Sequence, residues 1–185
     1  MTNFYEGDPV TSTRDLSEFP ILIRHIKALP IIRKVLNLGL NGGKFLNERV
    51  SSRKPFSLPT NYSPKRSGTP CHFTQRIGLK FANSEDVTDE NNFLSKWKLL
   101  IPPAPIAGQT DFSKPVGFYT DTNTRIAKPG ECCTESYIVA CAADSEEEIY
   151  SFRSYLFTKI ARFLLLQTVI SQDVTRKNFC FIPDL

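Results

Sequence analysis

Ser145 to Ile170 reads SEEEIYSFRSYLFTKIARFLLLQTVI, and the interpretation of this stretch decides the fold. Ser145 followed three residues later by Glu148 has the form of a capping box, in which hydroxyl and carboxylate satisfy backbone N–H groups at a helix start. Glu146, Glu147 and Glu148 place negative charge at the positive end of the helix dipole. Ile149, Phe152, Leu156, Ile160, Phe163 and Leu164 recur at helical spacing, while Arg153, Lys159 and Arg162 fall elsewhere. The pattern predicts a single amphipathic helix over 145–170. A helix this apolar packs on a sheet, and its aromatic residues read as core and not as a ligand box.

The sheet is expected from short β-type runs at Ile77 to Phe81, Trp97 to Ile101, Val116 to Tyr119 and Ser136 to Ala140, separated by turn-rich and proline-rich segments. A last apolar run, Phe179 to Ile182, has the composition of a final strand. Nearer the N-terminus, Leu22, Ile26, Leu29, Ile32, Val35 and Leu36 recur at helical spacing opposite Arg24, Lys27, Arg33 and Lys34. Pro30 is expected to break or kink this run into two short helices. Asn41-Gly42-Gly43 ends the element, and Lys44 to Val50 is expected to form one further turn. Residues 1–20 hold no convincing period and read as a poorly structured lead-in. Residues 51–76 carry Pro55, Pro59, Pro64, Pro70 and Gly68 among Ser, Thr and Asn, which predicts a long loop. The expected class is therefore α+β: a small mixed or antiparallel sheet, a long C-terminal amphipathic helix packed on it, long proline-rich loops and short N-terminal helices. The expected organisation is lead-in 1–20, N-terminal helices 21–50 and one compact domain over 51–185.

A formal net charge of +4 says little by itself, but its distribution is uneven. From Lys44 to Lys80 there are eight basic residues (Lys44, Arg49, Arg53, Lys54, Lys65, Arg66, Arg76 and Lys80) and one acidic residue, Glu48, a balance of +7. Acidic residues gather instead at Glu85, Asp86, Asp89 and Glu90, and again at Asp144 and Glu146 to Glu148. Such segregation suits one polyanion-facing side, because phosphate neutralisation needs cations on a common surface. A solvated basic loop is the alternative reading.

Five cysteines are an odd number, and no signal segment opens the chain, so reduced thiols in a cytoplasm are expected. Adjacent Cys132 and Cys133 lack the spacing that lets two thiolates share a zinc, and His25 and His72 are distant in sequence; no metal is expected. Leu156 to Ile170 is interrupted by Lys159 and Arg162 and is too short to span a bilayer, so no membrane partner is expected. Two histidines offer little for nucleophile activation, and no phosphate-cradling glycine loop occurs.

Four strings carry a resemblance: Val50-Ser51-Ser52-Arg53-Lys54-Pro55-Phe56-Ser57-Leu58-Pro59-Thr60-Asn61-Tyr62; Lys96-Trp97-Lys98-Leu99-Leu100-Ile101-Pro102; Pro129-Gly130-Glu131-Cys132-Cys133-Thr134-Glu135-Ser136-Tyr137-Ile138-Val139; and Thr175-Arg176-Lys177-Asn178-Phe179-Cys180-Phe181-Ile182-Pro183. In this order, across residues 50–183, they resemble the C-terminal target-recognition region of adenine-specific type II and type IIG restriction-modification DNA methyltransferases. The departures are Ser57, where that family usually has glycine, and the proline-rich stretch from Ser63 to Thr74. The resemblance implies a module that helps select the DNA sequence to be methylated, partnered by double-stranded DNA and by a catalytic methyltransferase domain or subunit. It implies DNA contacts from Ser52, Arg53, Lys54, Thr60, Asn61, Thr175, Arg176 and Lys177, with Thr134 and Glu135 in support.

The residue chemistry is compatible with that placement. Arginine can bridge guanine O6 and N7 or a phosphate, lysine neutralises phosphate, and Thr60 and Asn61 are short polar groups of the kind that read base edges. Arg53 and Arg176 are alternatively held by Glu131 or Glu135. For Glu135, whose carboxylate is repelled by phosphate, holding Arg53 or Arg176 is favoured over accepting a bond from cytosine N4. A glycine-rich turn for S-adenosylmethionine is missing, as is the [Asp/Asn/Ser]-Pro-Pro-[Tyr/Phe] motif that grips a flipped adenine; Ile101-Pro102-Pro103-Ala104 lacks both the polar residue and the aromatic. No Asp or Glu is followed two residues later by Lys, the spacing of many metal-dependent nucleases. The chain is therefore expected to bind no cofactor and to catalyse nothing alone, as an excised domain, a truncated product or a natural subunit. A non-catalytic interaction protein docking through its amphipathic helices is the main alternative, and an endonuclease with an unfamiliar site a third.

Overall fold

The computed structural model describes residues 2–5, 8–23, 25–38, 40–106 and 117–185. Its strands are β1 (Thr2–Tyr5), β2 (Asp8–Thr11), β3 (Thr69–His72), β4 (Leu79–Ala82), β5 (Trp97–Ile101), β6 (Arg125–Ala127), β7 (Cys132–Cys133) and β8 (Ile138–Ala143). Its α-helices are α1 (Leu29–Asn37), α2 (Glu146–Leu156) and α3 (Lys159–Thr168). The class is α+β, as the alternation of short strands and amphipathic runs predicts.

β6, β5 and β8 form an antiparallel sheet in that order. β4, β3 and β7 form a second, mixed sheet in which β3 is antiparallel to β4 and parallel to β7. The antiparallel sheet is apolar on both faces, which is why β5 and β8 read as near-continuous hydrophobic runs without clean alternation. Leu99, Ile101, Ile138 and Ala140 belong to a core shared with the helices, while Leu100 and Val139 point into a second core with Phe56, Leu58, Cys71, Phe73, Ala82 and Tyr137. Pairing shifts between Leu99, opposite Cys141, and Leu100, opposite Val139, so Ala140 is the extra residue of a β-bulge.

The expected single helix over 145–170 is two helices. Ser145 caps α2 through the hydroxyl half of the expected capping box, its Oγ accepting from Glu148 N at 3.3 Å. At Thr158 the backbone is extended, and the hydroxyl accepts from Ala161 N at 3.3 Å, which makes Thr158 the cap of a second helix and not an interior residue. The break re-aims the apolar stripe: Ala161, Leu164, Leu165 and Thr168 are buried, whereas Ile160, expected in the core, is exposed.

Other expectations also shift. Pro30 lies in the first turn of α1, preceded by a 3-10 turn over Ile26–Ala28, because a proline without its N–H is tolerated where the helix has no acceptor to offer. Leu22 is exposed and Ile23 buried in its stead. Arg24 and Val116 lie outside the described residues, and Gly117 to Tyr119 form no strand. The lead-in contains the β1–β2 hairpin. The last apolar run forms no strand: its first residue, Phe179, closes a 3-10 turn over Arg176–Phe179, and the chain then makes an isolated bridge between Phe45 and Pro183. Thr175 and Asn178 supply the reason: the Asn178 carboxamide oxygen accepts from Thr175 N at 2.7 Å while Asn178 N donates to Thr175 O at 2.9 Å, closing the turn that a strand would need open. No helix among the described residues is long and apolar enough to cross a membrane.

Lys98 lies in β5 with its side chain fully buried. Its Nζ donates to the carbonyls of Phe93 and Lys128 at 3.0 Å, Lys96 at 2.5 Å and Leu94 at 3.5 Å. Burial nevertheless pushes the ammonium down from its ordinary 10.5 to about 8, against the opposing charge of Glu131.

Candidate nucleic-acid interface

The long proline-rich loop is pinned at several points. Ser51 N donates to Val139 O at 2.8 Å and Ser51 Oγ accepts from Val139 N at 2.9 Å, so Ser51 completes the free edge of β8. Ser57 N donates to Lys54 O at 3.0 Å, closing a turn with Pro55 at its second position, where a fixed φ is wanted. Phe56 and Leu58 are fully buried, and Leu58 O accepts from Glu135 N at 2.8 Å. Lys54 and Ser57 have φ of 55° and 62°, the left-handed region that favours glycine. Between these anchors Ser52, Arg53 and Lys54 are exposed.

Glu135 sits in the tight turn that joins β7 to β8 and thereby the two sheets, closed by Tyr137 N donating to Thr134 O at 3.1 Å. Its carboxylate lies 3.3 Å from Arg53 Nε and 3.7 Å from Lys54 Nζ. Arg53 also reaches Asp173, at 3.4 Å. Asp173 precedes Val174, a buried residue whose N donates to Pro103 O at 2.6 Å, fixing this segment beyond the end of β5. Arg176 Nε donates to Asn47 O at 2.7 Å, which sets the 175–177 segment beside the start of the loop. Lys177 is exposed and has no ion pair among the described residues.

Ser52 to Lys54, Glu135 and Asp173 to Lys177 therefore meet on one face, from three parts of the chain more than 35 residues apart. Thr60 and Asn61 are exposed in the following turn of the loop, where Tyr62 N donates to Pro59 O at 3.1 Å, and no bond joins them to Arg53 among the described residues. Thr134 is buried, its Oγ1 donating to Ser136 Oγ at 3.1 Å, so it shapes the turn and presents nothing to solvent. Arg176 is held by a backbone carbonyl and not by either glutamate. Glu131 bonds elsewhere: its Oε2 lies 2.8 Å from His72 Nε2 and accepts from Lys128 N at 2.9 Å. Asp173 was not marked by any sequence pattern; the Thr-x-x-Asn spacing of Thr175 and Asn178 was the signal available for the local turn.

The Arg53 side chain is 46% exposed and that of Asp173 52%, so these are solvated ion pairs contributing between zero and about 1 kcal/mol. Arg53→Ala is accordingly expected to lower the unfolding free energy by less than about 1 kcal/mol, read as an urea midpoint. A larger drop would make Arg53 a structural clamp. Among the described residues no group of three or more His, Cys, Asp and Glu side chains converges to hold a metal ion. Compared with protein-family models, curated proteins and solved structures, the chain matches none of them.

Proposed function

We propose that this chain is the DNA-binding target-recognition module of an adenine-specific restriction-modification methyltransferase, acting with a catalytic domain or subunit that it does not itself contain. The observation that carries the reading is the meeting of Arg53, Lys54 and the Thr175–Lys177 segment on one exposed face around Glu135 and Asp173. The strings that resemble the methyltransferase family, far apart in the chain, supply these side chains. The left-handed φ of Ser57 falls where that family usually carries glycine, which gives the resemblance at that position a backbone reason.

On this face the weak, solvated pairs of Arg53 and Lys54 hold the cations ready without binding them tightly, so a phosphate or a guanine edge can displace the carboxylate at small cost. Glu135, anchored through its own backbone, acts as the positioning residue. Lys54 and Lys177 take phosphates, and Arg53 takes a base. If so, Lys54→Ala or Lys177→Ala weakens binding to all duplexes alike and lowers the magnitude of the slope of log affinity against log salt by about 1. Titrating fluorescent duplex at several salt concentrations checks this; slopes unchanged from the parent chain would remove these lysines from the interface.

A further inference from the structure

A second surface lies next to this face. β3 and β4 form a hairpin whose connection is held by Phe73 N donating to Gly78 O at 3.0 Å and Gly78 N donating to Thr74 O at 2.9 Å. Gln75 Nε2 donates to Thr122 O at 2.6 Å, so the tip is braced from outside the hairpin. Beyond the brace, Arg76 and Ile77 are exposed at the tip. Leu79 and Phe81, two residues apart and so on one side of β4, are exposed as well. Ile77, Leu79 and Phe81 are 41%, 49% and 39% accessible, three large apolar side chains left in water along a few residues of chain. Beside them are Lys65, Arg66 and Arg76, all exposed and none in an ion pair with a carboxylate among the described residues, with Lys65 Nζ 5.4 Å from the centre of the Tyr62 ring; Lys80, between Leu79 and Phe81, points to the other side of β4. Lys65 is fixed beside Phe81 by a backbone bond, Lys65 N to Phe81 O at 2.8 Å.

The hairpin is continuous with the Arg53 face. His72 O, at the end of β3, accepts from Thr134 N at 3.1 Å, one residue from Glu135. Thr74 and Gln75 share a cleft of about 440 Å³ with Ser136 and Tyr137, the other side of the same turn.

We infer that the β3–β4 hairpin is a second duplex-DNA contact, pressing Ile77, Leu79 and Phe81 against bases while Lys65, Arg66 and Arg76 hold the flanking phosphates. This rests on the reading of the Arg53 face as a DNA interface and extends it. Charge complementarity selects the occupant: three cations without a carboxylate partner among the described residues call for an anionic partner, and the apolar side chains beside them need a surface that is apolar within its anionic border. Duplex DNA has that arrangement, with stacked bases and thymine methyl groups between two phosphate rows. An anionic bilayer shares the chemistry but calls for a broader apolar face than one strand and a turn provide.

The experiment uses the full chain, a fluorescent duplex over a range of salt, and vesicles of phosphatidylserine and phosphatidylcholine. Lys65→Ala combined with Arg66→Ala lowers the magnitude of the salt slope by about 2. Leu79→Ser combined with Phe81→Ser weakens duplex binding about tenfold with the slope unchanged, because no phosphate contact is lost. Both pairs of side chains are exposed, and an unchanged unfolding midpoint verifies that the variants fold. Duplex binding that weakens in Lys54→Ala but not in the hairpin variants overturns this inference and leaves the Arg53 face standing. Absence of any duplex binding by the parent chain overturns both. Hairpin-dependent binding to the vesicles, with duplex binding indifferent to the hairpin, assigns the surface to a membrane and overturns it as well.

Discussion

Lys98→Met lowers the unfolding free energy by about 3 kcal/mol, because it leaves buried carbonyls without their shared donor and stranding a buried polar group costs about 1 to 3 kcal/mol. Methionine fills most of the lysine volume but gives the carbonyls of Phe93, Leu94, Lys96 and Lys128 no donor. Those carbonyls gather the connection before β5 and the segment after β6, so the loss loosens both sheets. The same lysine has a pH signature. Its folded pKa is depressed to about 8 by burial, below its ordinary 10.5, so between those values the unfolded chain holds a proton that the folded chain has released. The state binding more protons is then the unfolded one, and stability rises with pH across that window, by up to about 1.4 kcal/mol per pH unit from this group. Buried Cys133, Cys141 and Tyr137, whose pKa values burial raises, act in the opposite direction in the same range, as unfolding lets them ionise. The measurable quantity is therefore the difference in stability between the parent chain and Lys98→Met, which widens from pH 8 to 10. A difference that narrows would show that the carbonyl cage, not desolvation, governs Lys98.

Phe56→Ala is the second large effect, with an expected cost of about 3 to 5 kcal/mol. Phe56 is fully buried in the second core, edge-on to Phe93 with ring centroids 6.4 Å apart. For a chain of this length the cost corresponds to a fall in thermal midpoint on the order of 10 °C. Function should suffer beyond stability. Phe56 anchors the turn that carries Arg53 and Lys54, and its carbonyl accepts from Thr88 N at 3.3 Å, so truncation frees the loop that the interface requires held. At a temperature where the variant remains folded, duplex affinity should fall while Phe56→Leu, which keeps most of the apolar volume, retains it. Equal affinity in the alanine variant would show that the loop needs no anchor.

Much of this fold could be read in the chain because apolar period and caps are local. The Ser145 cap, the β5 run from Trp97 to Ile101 and the turn of helix near Leu46 follow from neighbouring residues alone. The break at Thr158 was missed because its flanks keep an apolar spacing compatible with one helix, and a threonine cap competes weakly with that pattern until the tertiary packing favours two helices. β3 and β7 were missed because Thr-Pro-Cys-His and Cys-Cys have little strand character; partners distant in sequence make them strands. Lys98 carries no warning at all, since a lysine in a strand ordinarily marks a solvated face. For the candidate site, the cations and Glu135 could be named from the chain, but not their partners: Asp173 joins Arg53 across 120 residues. Burial limits the support expected from Thr134 to shaping the turn.

Amide chemical-shift mapping of the full 185-residue chain on addition of a short duplex measures directly which face meets DNA. The expected result is a set of salt-sensitive perturbations at Ser52 to Lys54, Glu135 and Thr175 to Lys177, extending over Arg76 to Phe81. Perturbations confined to the groove lined by Arg49, Glu147 and Ser151, or no perturbation at any salt concentration, would contradict it.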